Sequence, residues 1–385
     1  MNKKKLSRRK FLRTSMGIAV GVSAASLNLK PLDILFAEEK PAVSIVKIKN
    51  DNIGFAVEEA IDLLGGIKTI TKGKEKIMLK PNLVDSSIHD TTKPEVIKTL
   101  AQLMKKAGKE VFIGEGSAAA VGFNVIDGVQ YRTKNKEILD KMQQFIFDKL
   151  GYSELAKSMG IPLINLHSGE MAEVEVPNGF VFDEITLHRS LTDIDLLCSV
   201  PMMKTHLFAT VTLGMKNLIG TYPGTLYYSV RRLVHDLNAK IEPSGTAAAI
   251  IDIVRANKLG LVVVDGSMAM EGDGPTVSFG GKVKKTDLII AGTNPLATDV
   301  VTANIMGFEP GEIPTFTWAE KAGMRPTKLE EIEIRGEKLE NVRRKFIKPN
   351  VIPWAAVRES FGAKELGAET EKSSSTMAMC PIFGA

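Results

Sequence analysis

Ile194-Asp195-Leu196-Leu197-Cys198-Ser199-Val200 runs directly into Pro201-Met202-Met203-Lys204-Thr205-His206. A short, nearly continuous apolar run closed by proline and polar residues reads as a strand covered on both faces, with Cys198 buried in it. The pattern recurs on either side. Val43–Ile48, Lys76–Leu79, Glu110–Ile113, Pro162–Leu166, Leu261–Val264 and Leu288–Ala291 read as further strands. Helical patterns separate them at Phe55–Leu64, Pro94–Lys106, Lys136–Leu155, Val230–Lys240, Thr246–Ala256 and Pro295–Met306. Pro94 takes the first-turn position that proline favours. This alternation predicts an α/β fold, a largely parallel sheet with helices on both faces. Ala172–Leu187 departs from it, because short alternating runs flank Pro177-Asn178-Gly179 and predict a small β-hairpin insertion. The α/β domain is expected over residues 41–365, as one body or two lobes, followed by a polar, Ser-rich flexible tail over 366–385.

The polar residues fall where such strands end. Ile77-Met78-Leu79 leads to Lys80-Pro81-Asn82, and Val111-Phe112-Ile113 to Gly114-Glu115-Gly116-Ser117. Val262-Val263-Val264 leads to Asp265-Gly266 and on to Met270-Glu271-Gly272-Asp273-Gly274-Pro275, and Ile289-Ile290 to Gly292-Thr293-Asn294-Pro295. Open parallel sheets bind ligands beyond the carboxyl ends of their strands. Five such clusters, with Pro201–His206 the fifth, are expected to converge on one cleft.

Taken in order, these segments, together with Thr212-Leu213-Gly214-Met215-Lys216-Asn217-Leu218-Ile219-Gly220 and Leu296-Ala297-Thr298-Asp299, carry a resemblance. The chain is similar to the family called domain of unknown function 362 over roughly residues 45–310. Its most specific marks here are Lys204-Thr205-His206 and the Lys-Asn-Leu-x-Gly run at 216–220. Some similar proteins carry an added ferredoxin-like module with cysteine-bound iron–sulfur clusters. This chain has two cysteines, Cys198 and Cys380, and no Cys-x-x-Cys, so no self-contained cluster is expected and a redox role would need a partner protein. A more distant resemblance, to lactate racemase-like proteins, adds isomerase chemistry to the alternatives.

The residue types define what the cleft could do. Lys204 and His206 lie two apart in an extended stretch and so point to one side. A neutral imidazole there could act as general acid/base or ligate a divalent metal, and lysines would bind an anion. Thr212 and Lys216, read as helical neighbours on Val211–Gly220, would bring a third lysine beside Lys80 and Lys204. Crowded lysines lower one another's pKa, which admits Schiff-base chemistry. Glu271 would be the second catalytic group beside His206 and Lys204. Lys80, Asn82, Glu115, Thr212, Lys216, Asn217, Asp265, Asp273 and Asp299 would surround the substrate, with Asp299 orienting groups or capping the helix after Pro295. His235 could add a second imidazole, whereas His89, His167 and His188 sit in less useful contexts. Gly-x-Gly-x-x-Gly, Walker, His-Glu-x-x-His and nucleophile-elbow motifs are all missing.

The amino terminus reads as an address. Ser7-Arg8-Arg9-Lys10-Phe11-Leu12-Arg13 precedes the uncharged stretch Met16–Leu29, 14 residues and too short for a spanning helix of about 20. Residues 1–37 are therefore expected to be a twin-arginine export signal, cleaved near Ala37 or kept as an anchor, with the twin-arginine translocase as partner. The signal holds eight basic residues against Asp33, so the net charge of +5 belongs to it, and the remainder is slightly acidic. That removes the argument for a nucleic-acid partner. The expectation is an exported enzyme acting on a small anionic substrate by acid/base or metal-assisted chemistry, redox included. The alternatives are a non-catalytic extracytoplasmic binding protein for a metallocofactor or anionic solute, and a structural partner in an envelope complex.

Overall fold

The computed structural model describes residues 40–237, 244–350 and 361–367. The export signal, its cleavage point and almost all of the tail with Cys380 lie outside the described residues. Ten strands form one sheet. Its spine runs β14 (Glu333–Gly336), β1 (Ala42–Lys47), β13 (Gly281–Gly292), β12 (Leu259–Gly272), β9 (Leu196–Val200), β2 (Lys76–Pro81), β3 (Glu110–Glu115) and β6 (Leu163–Asn165). All neighbours pair in parallel except β13, which is antiparallel to both β1 and β12. The fold is thus α/β with a largely parallel sheet. Beside this spine, β10 (Met202–His206) pairs with β12 and with β11 (Thr210–Thr212).

The strands are apolar throughout because both faces are covered. In β2, Ile77 and Leu79 enter one core while Met78 enters the other; in β12, Leu261 and Val263 part in the same way from Val262 and Val264. The helices α1 (Ile53–Asp62), α2 (Pro94–Lys106), α3 (Lys136–Lys149) and α4 (Tyr152–Met159) pack into one of these cores. The second core takes α6 (Gly245–Ala256), α7 (Pro295–Ile305) and α8 (Pro314–Lys321), which follow the short α5 (Arg232–Asp236). Helix α2 shows why it forms where it does. Pro94 starts it, Glu95 and Lys105/Lys106 suit its dipole ends, and Val96, Ile97, Leu100 and Met104 are fully buried on one stripe. Each such side chain contributes about 1.5–3 kcal/mol. The antiparallel pair β7 (Met171–Glu175) and β8 (Glu184–His188) is the predicted hairpin insertion.

Five expectations need correction. The helix read as Lys136–Leu155 is two helices, because Gly151 takes φ 78° between them. Val211–Gly220 is not helical: Thr210–Thr212 pairs with β10, and Lys216–Thr221 is a 3-10 turn. The helix expected from Val230 begins at Arg232, because Tyr228, Val230 and Arg231 are left-handed at φ 66°, 63° and 58°. Strand β12 does not stop at Asp265-Gly266 but continues to Gly272, and β13 returns beside it. Since β13 is antiparallel, its Gly292-Thr293-Asn294-Pro295 end lies at the opposite edge from the other strand ends. The five clusters therefore do not all share one edge.

Candidate active site

Strands β2, β3 and β10 do end together, around a cavity of about 660 Å³. Its floor is a buried ion pair. Lys80 Nζ lies 2.9 Å from Glu115, with side-chain exposures of 1% and 2%. Nζ also donates to Asn217 Oδ1 at 3.2 Å and Pro81 O at 3.2 Å. Glu115 accepts from Leu83 N and Gly116 N. Asn217 ties the floor together, donating to Lys80 O and Ser199 Oγ and accepting from Asn82 Nδ2. Lys80, Glu115 and Asn217 thus satisfy one another, as a buried pair requires. Burial still pulls Lys80 below the ordinary lysine pKa, against the opposing charge of Glu115.

One wall carries groups with capacity left over. Lys204 and Thr212 face each other across the β10–β11 pair. Lys204 Nζ donates to Asp90 O at 2.7 Å, and Thr212 Oγ1 is buried without a hydrogen-bond partner among the described residues. The side-chain amine of Lys216, which starts the 3-10 turn, makes no hydrogen bond or ion pair among the described residues. Burial, then the charges of Lys204 and Lys80, bring its pKa down to about 7, while Lys204 falls to about 8. His206 Nδ1 accepts from Phe208 N at 3.1 Å, so the neutral ring carries its proton on Nε2. Burial and the nearby Lys216 hold His206 well below the ordinary histidine pKa. His235 stacks on it at 6.4 Å between centroids and is lowered to about 3, again by burial first. The Phe208 ring meets both imidazoles edge-on.

Arg231 completes this wall from a strained backbone. Its Nε donates to Ile219 O at 3.0 Å and its Nη2 to Gly116 O, whereas buried Nη1 has no hydrogen-bond partner among the described residues. Burial lowers it to about 10, so it stays charged at neutral pH. Left-handed conformations at Tyr228, Val230 and Arg231 cost about 1 kcal/mol or more each. The two carbonyl clamps on the guanidinium hold that geometry in place.

Two acids that periodicity did not reveal, Asp85 and Asp90, sit in the loop after β2 and line the same cavity. Asp90 Oδ1 accepts from Val277 N, and Asp85 Oδ1 from Ser87 N. Burial, then the adjacent Asp90, raises Asp85 to about 7. Reading a few residues further past Lys80-Pro81-Asn82 would have found both.

Of the residues expected in the site, Lys80, Asn82, Glu115, Lys204, His206, Thr212, Lys216 and Asn217 line this cavity, and so does His235. Asp265, Glu271, Asp273 and Asp299 do not. Glu271 pairs with Lys284 at 2.6 Å and accepts from Ile347 N. Asp273 accepts from Asn350, and Asp265 from Lys93 N and Ser267. Asp299 caps the backbone of Gly214 and Met215 at 2.7 and 2.9 Å, and burial raises it to about 7. His167 is structural, held between Ser117 O and Gly224 N. Among the described residues no group of three or more His, Cys, Asp or Glu side chains is arranged to hold a metal. No helix there is long and apolar enough to cross a membrane.

Fold and site together define an α/β protein with a cationic cavity at the carboxyl ends of its parallel strands. The chain belongs to the family described as domain of unknown function (DUF362), which matches residues 77–304. It is 27% identical over 273 residues to the thylakoid-associated protein sll1697 of Synechocystis, covering 70% of this chain and 75% of that one. Among solved structures, the lactate racemase apoprotein of Thermoanaerobacterium thermosaccharolyticum aligns with a TM-score of 0.39 at 16% identity over 67% of this chain. A protein of Thermotoga maritima aligns with a TM-score of 0.33 at 13% identity over 58% of it. The chain spans about half the length of these two structures, 55% and 52%.

Proposed function

We propose that this chain is an exported enzyme that moves a proton at the carbon beside a carboxylate or carbonyl of an organic anion. The observation that carries the reading is the pairing of Lys216, unpartnered in the cavity, with a neutral His206 whose Nε2–H is left unused. A lysine with a pKa near 7 is a competent general base at neutral pH. Lys204 and the Nη1 of Arg231 would hold the carboxylate. The neutral Nε2–H of His206 would donate to the oxygen on which charge develops, a role that needs no protonated imidazole. This narrows the part expected of His206, general acid/base or metal ligand, to hydrogen-bond donor, because Phe208 N occupies Nδ1. The paired arginines at Arg8-Arg9 support an extracytoplasmic setting.

The test is proton exchange. The full chain is incubated in D₂O with a panel of 2-hydroxy, 2-oxo and 2-amino acids, and the α-proton signal is followed by NMR. At least one member should lose that signal with the parent protein and keep it with Lys216→Met. His206→Gln, which can present a donor near the Nε2 position, should retain part of the rate, and His206→Phe should abolish it. Tight binding of an organic acid without exchange would overturn the enzyme reading in favour of a binding protein. Loss of all exchange in His206→Gln would return the base role to the imidazole.

A further inference from the structure

The cavity is built in two parts. Its cationic groups stand near one another, since Lys204 lowers Lys216, and Lys216 and Arg231 both lower His235. Apolar side chains make up much of the remaining lining. Val84, Ala118 and Val230 close one side, joined by the hydrogen bonds Ala118 N to Val84 O at 3.0 Å and Val230 N to Ala118 O at 3.2 Å. Val277 and Phe279 stand on the turn that Asp90 pins, and Val277 is 47% exposed at the rim.

We infer that the ligand is an organic monoanion with a bulky aliphatic or aromatic body, rather than a compact acid of three or four carbons. This rests on the anion-binding half of the function proposed above and not on its proton-transfer step. Size and lining both argue for it. A cavity of about 660 Å³ falls in the range that encloses ligands of drug size, about 300–1,000 Å³. A three-carbon acid would fill only a small part of it and leave the valine, alanine and phenylalanine walls wet. One acidic group suits the charge that is left, since Glu115 neutralises Lys80 and the acids Asp85 and Asp90 line the cavity together with Lys204, Lys216 and Arg231. The body of the anion would then cover the apolar walls and exclude water from the lysines, which strengthens their hold on the acidic end.

Straight-chain carboxylates from acetate to decanoate, titrated calorimetrically into the full chain, read this directly. Each buried methylene should tighten binding about fourfold until the cavity is filled. Alkylammonium ions of the same lengths should not bind. Lys204→Met should weaken every carboxylate by a similar factor. Val277→Ser, a neutral change at a position 47% exposed, should reduce the gain per methylene. Equal affinity for acetate and octanoate would overturn the inference while leaving an anion site in place. Failure of every carboxylate to bind would overturn the anion site itself, and equal binding of alkylammonium ions would reduce the cavity to a purely apolar one.

Discussion

Gly220 lies against the floor of the cavity, and replacing it by alanine puts a number on that floor. A Cβ at this position would stand 2.2 Å from Glu115 Oε1, 2.6 Å from Lys80 Nζ and 2.9 Å from Lys80 Cε. Ordinary contacts need roughly 1 Å more, so both charged groups must move. Neither has room or spare partners. Glu115 is held by Leu83 N and Gly116 N, and Lys80 by Asn217 and Pro81 O. Losing one charge-assisted hydrogen bond costs about 1.5–3 kcal/mol, and separating a buried pair about 3–5 kcal/mol. Gly220→Ala should therefore lower stability by about 3–5 kcal/mol. Urea unfolding measures it: with m near 3 kcal/mol/M, the midpoint should fall by about 1–1.7 M. Gly311→Ala is the control, since nothing lies within 4 Å of its Cβ position, and it should stay within about 0.5 kcal/mol. Glu115→Asp withdraws the obstructing oxygen, so the double variant should be less damaged than the sum of the two single changes. A loss under about 1 kcal/mol for Gly220→Ala, or strict additivity with Glu115→Asp, would refute the reasoning.

Two further outcomes follow from the buried titrating groups. Lys216 at about 7 and Lys204 at about 8 lose charge as pH rises from 6 to 9, and Asp85 at about 7 gains it. Octanoate affinity should fall at least tenfold over that range with proton uptake on binding, seen by calorimetry in buffers of different ionisation enthalpy, whereas the exchange rate at saturation should rise as Lys216 becomes a free base; a flat affinity would count against the lysine site. Asp299 is raised by burial to about 7 against an unfolded value near 4, so the folded chain keeps a proton that the unfolded chain releases in that window. Its contribution makes stability fall as pH rises from about 4 to 7, by up to about 1.4 kcal/mol per unit, and Asp299→Asn should remove that slope from the urea midpoints; an unchanged slope would show that Asp299 is not its source.

Much of the fold was legible because its strands are buried twice over. Ile77-Met78-Leu79 and Leu196–Val200 have no polar face to confuse the reading, and their partners are parallel, so their chemistry lands at a common edge. The same rule misled where one strand reverses. Nothing in Leu288–Ala291 announces that β13 runs against its neighbours, and Asp265-Gly266 resembles a strand end although the register continues to Gly272. Glu271 and Asp273 therefore looked like site acids, yet they serve Lys284 and Asn350. Long-range contacts also decided Arg231, whose left-handed backbone is set by carbonyls 12 and 115 residues away and by no local propensity.

The Lys-Asn-Leu-x-Gly run now has a physical account. Its 3-10 turn gives each polar member a different task within five residues. Lys216 enters the cavity, Asn217 turns to the floor and bonds Lys80, Asn82 and Ser199, and Leu218 goes into the core. Gly220 leaves the space that the Lys80–Glu115 pair occupies. An α-helix would have set Lys216 and Gly220 on one face and turned Asn217 elsewhere, so the tighter turn is what lets one segment both build the floor and supply the free amine. The buried pair then does for Lys216 what it does not do for a ligand. Glu115 neutralises Lys80, so the cavity keeps a modest surplus of positive charge, enough to lower the Lys216 pKa without leaving two unpaired buried lysines side by side. Replacing Glu115 by Gln would remove that balance. The amine of Lys216 would titrate lower still, and the loss of anion affinity with rising pH would begin at a correspondingly lower pH.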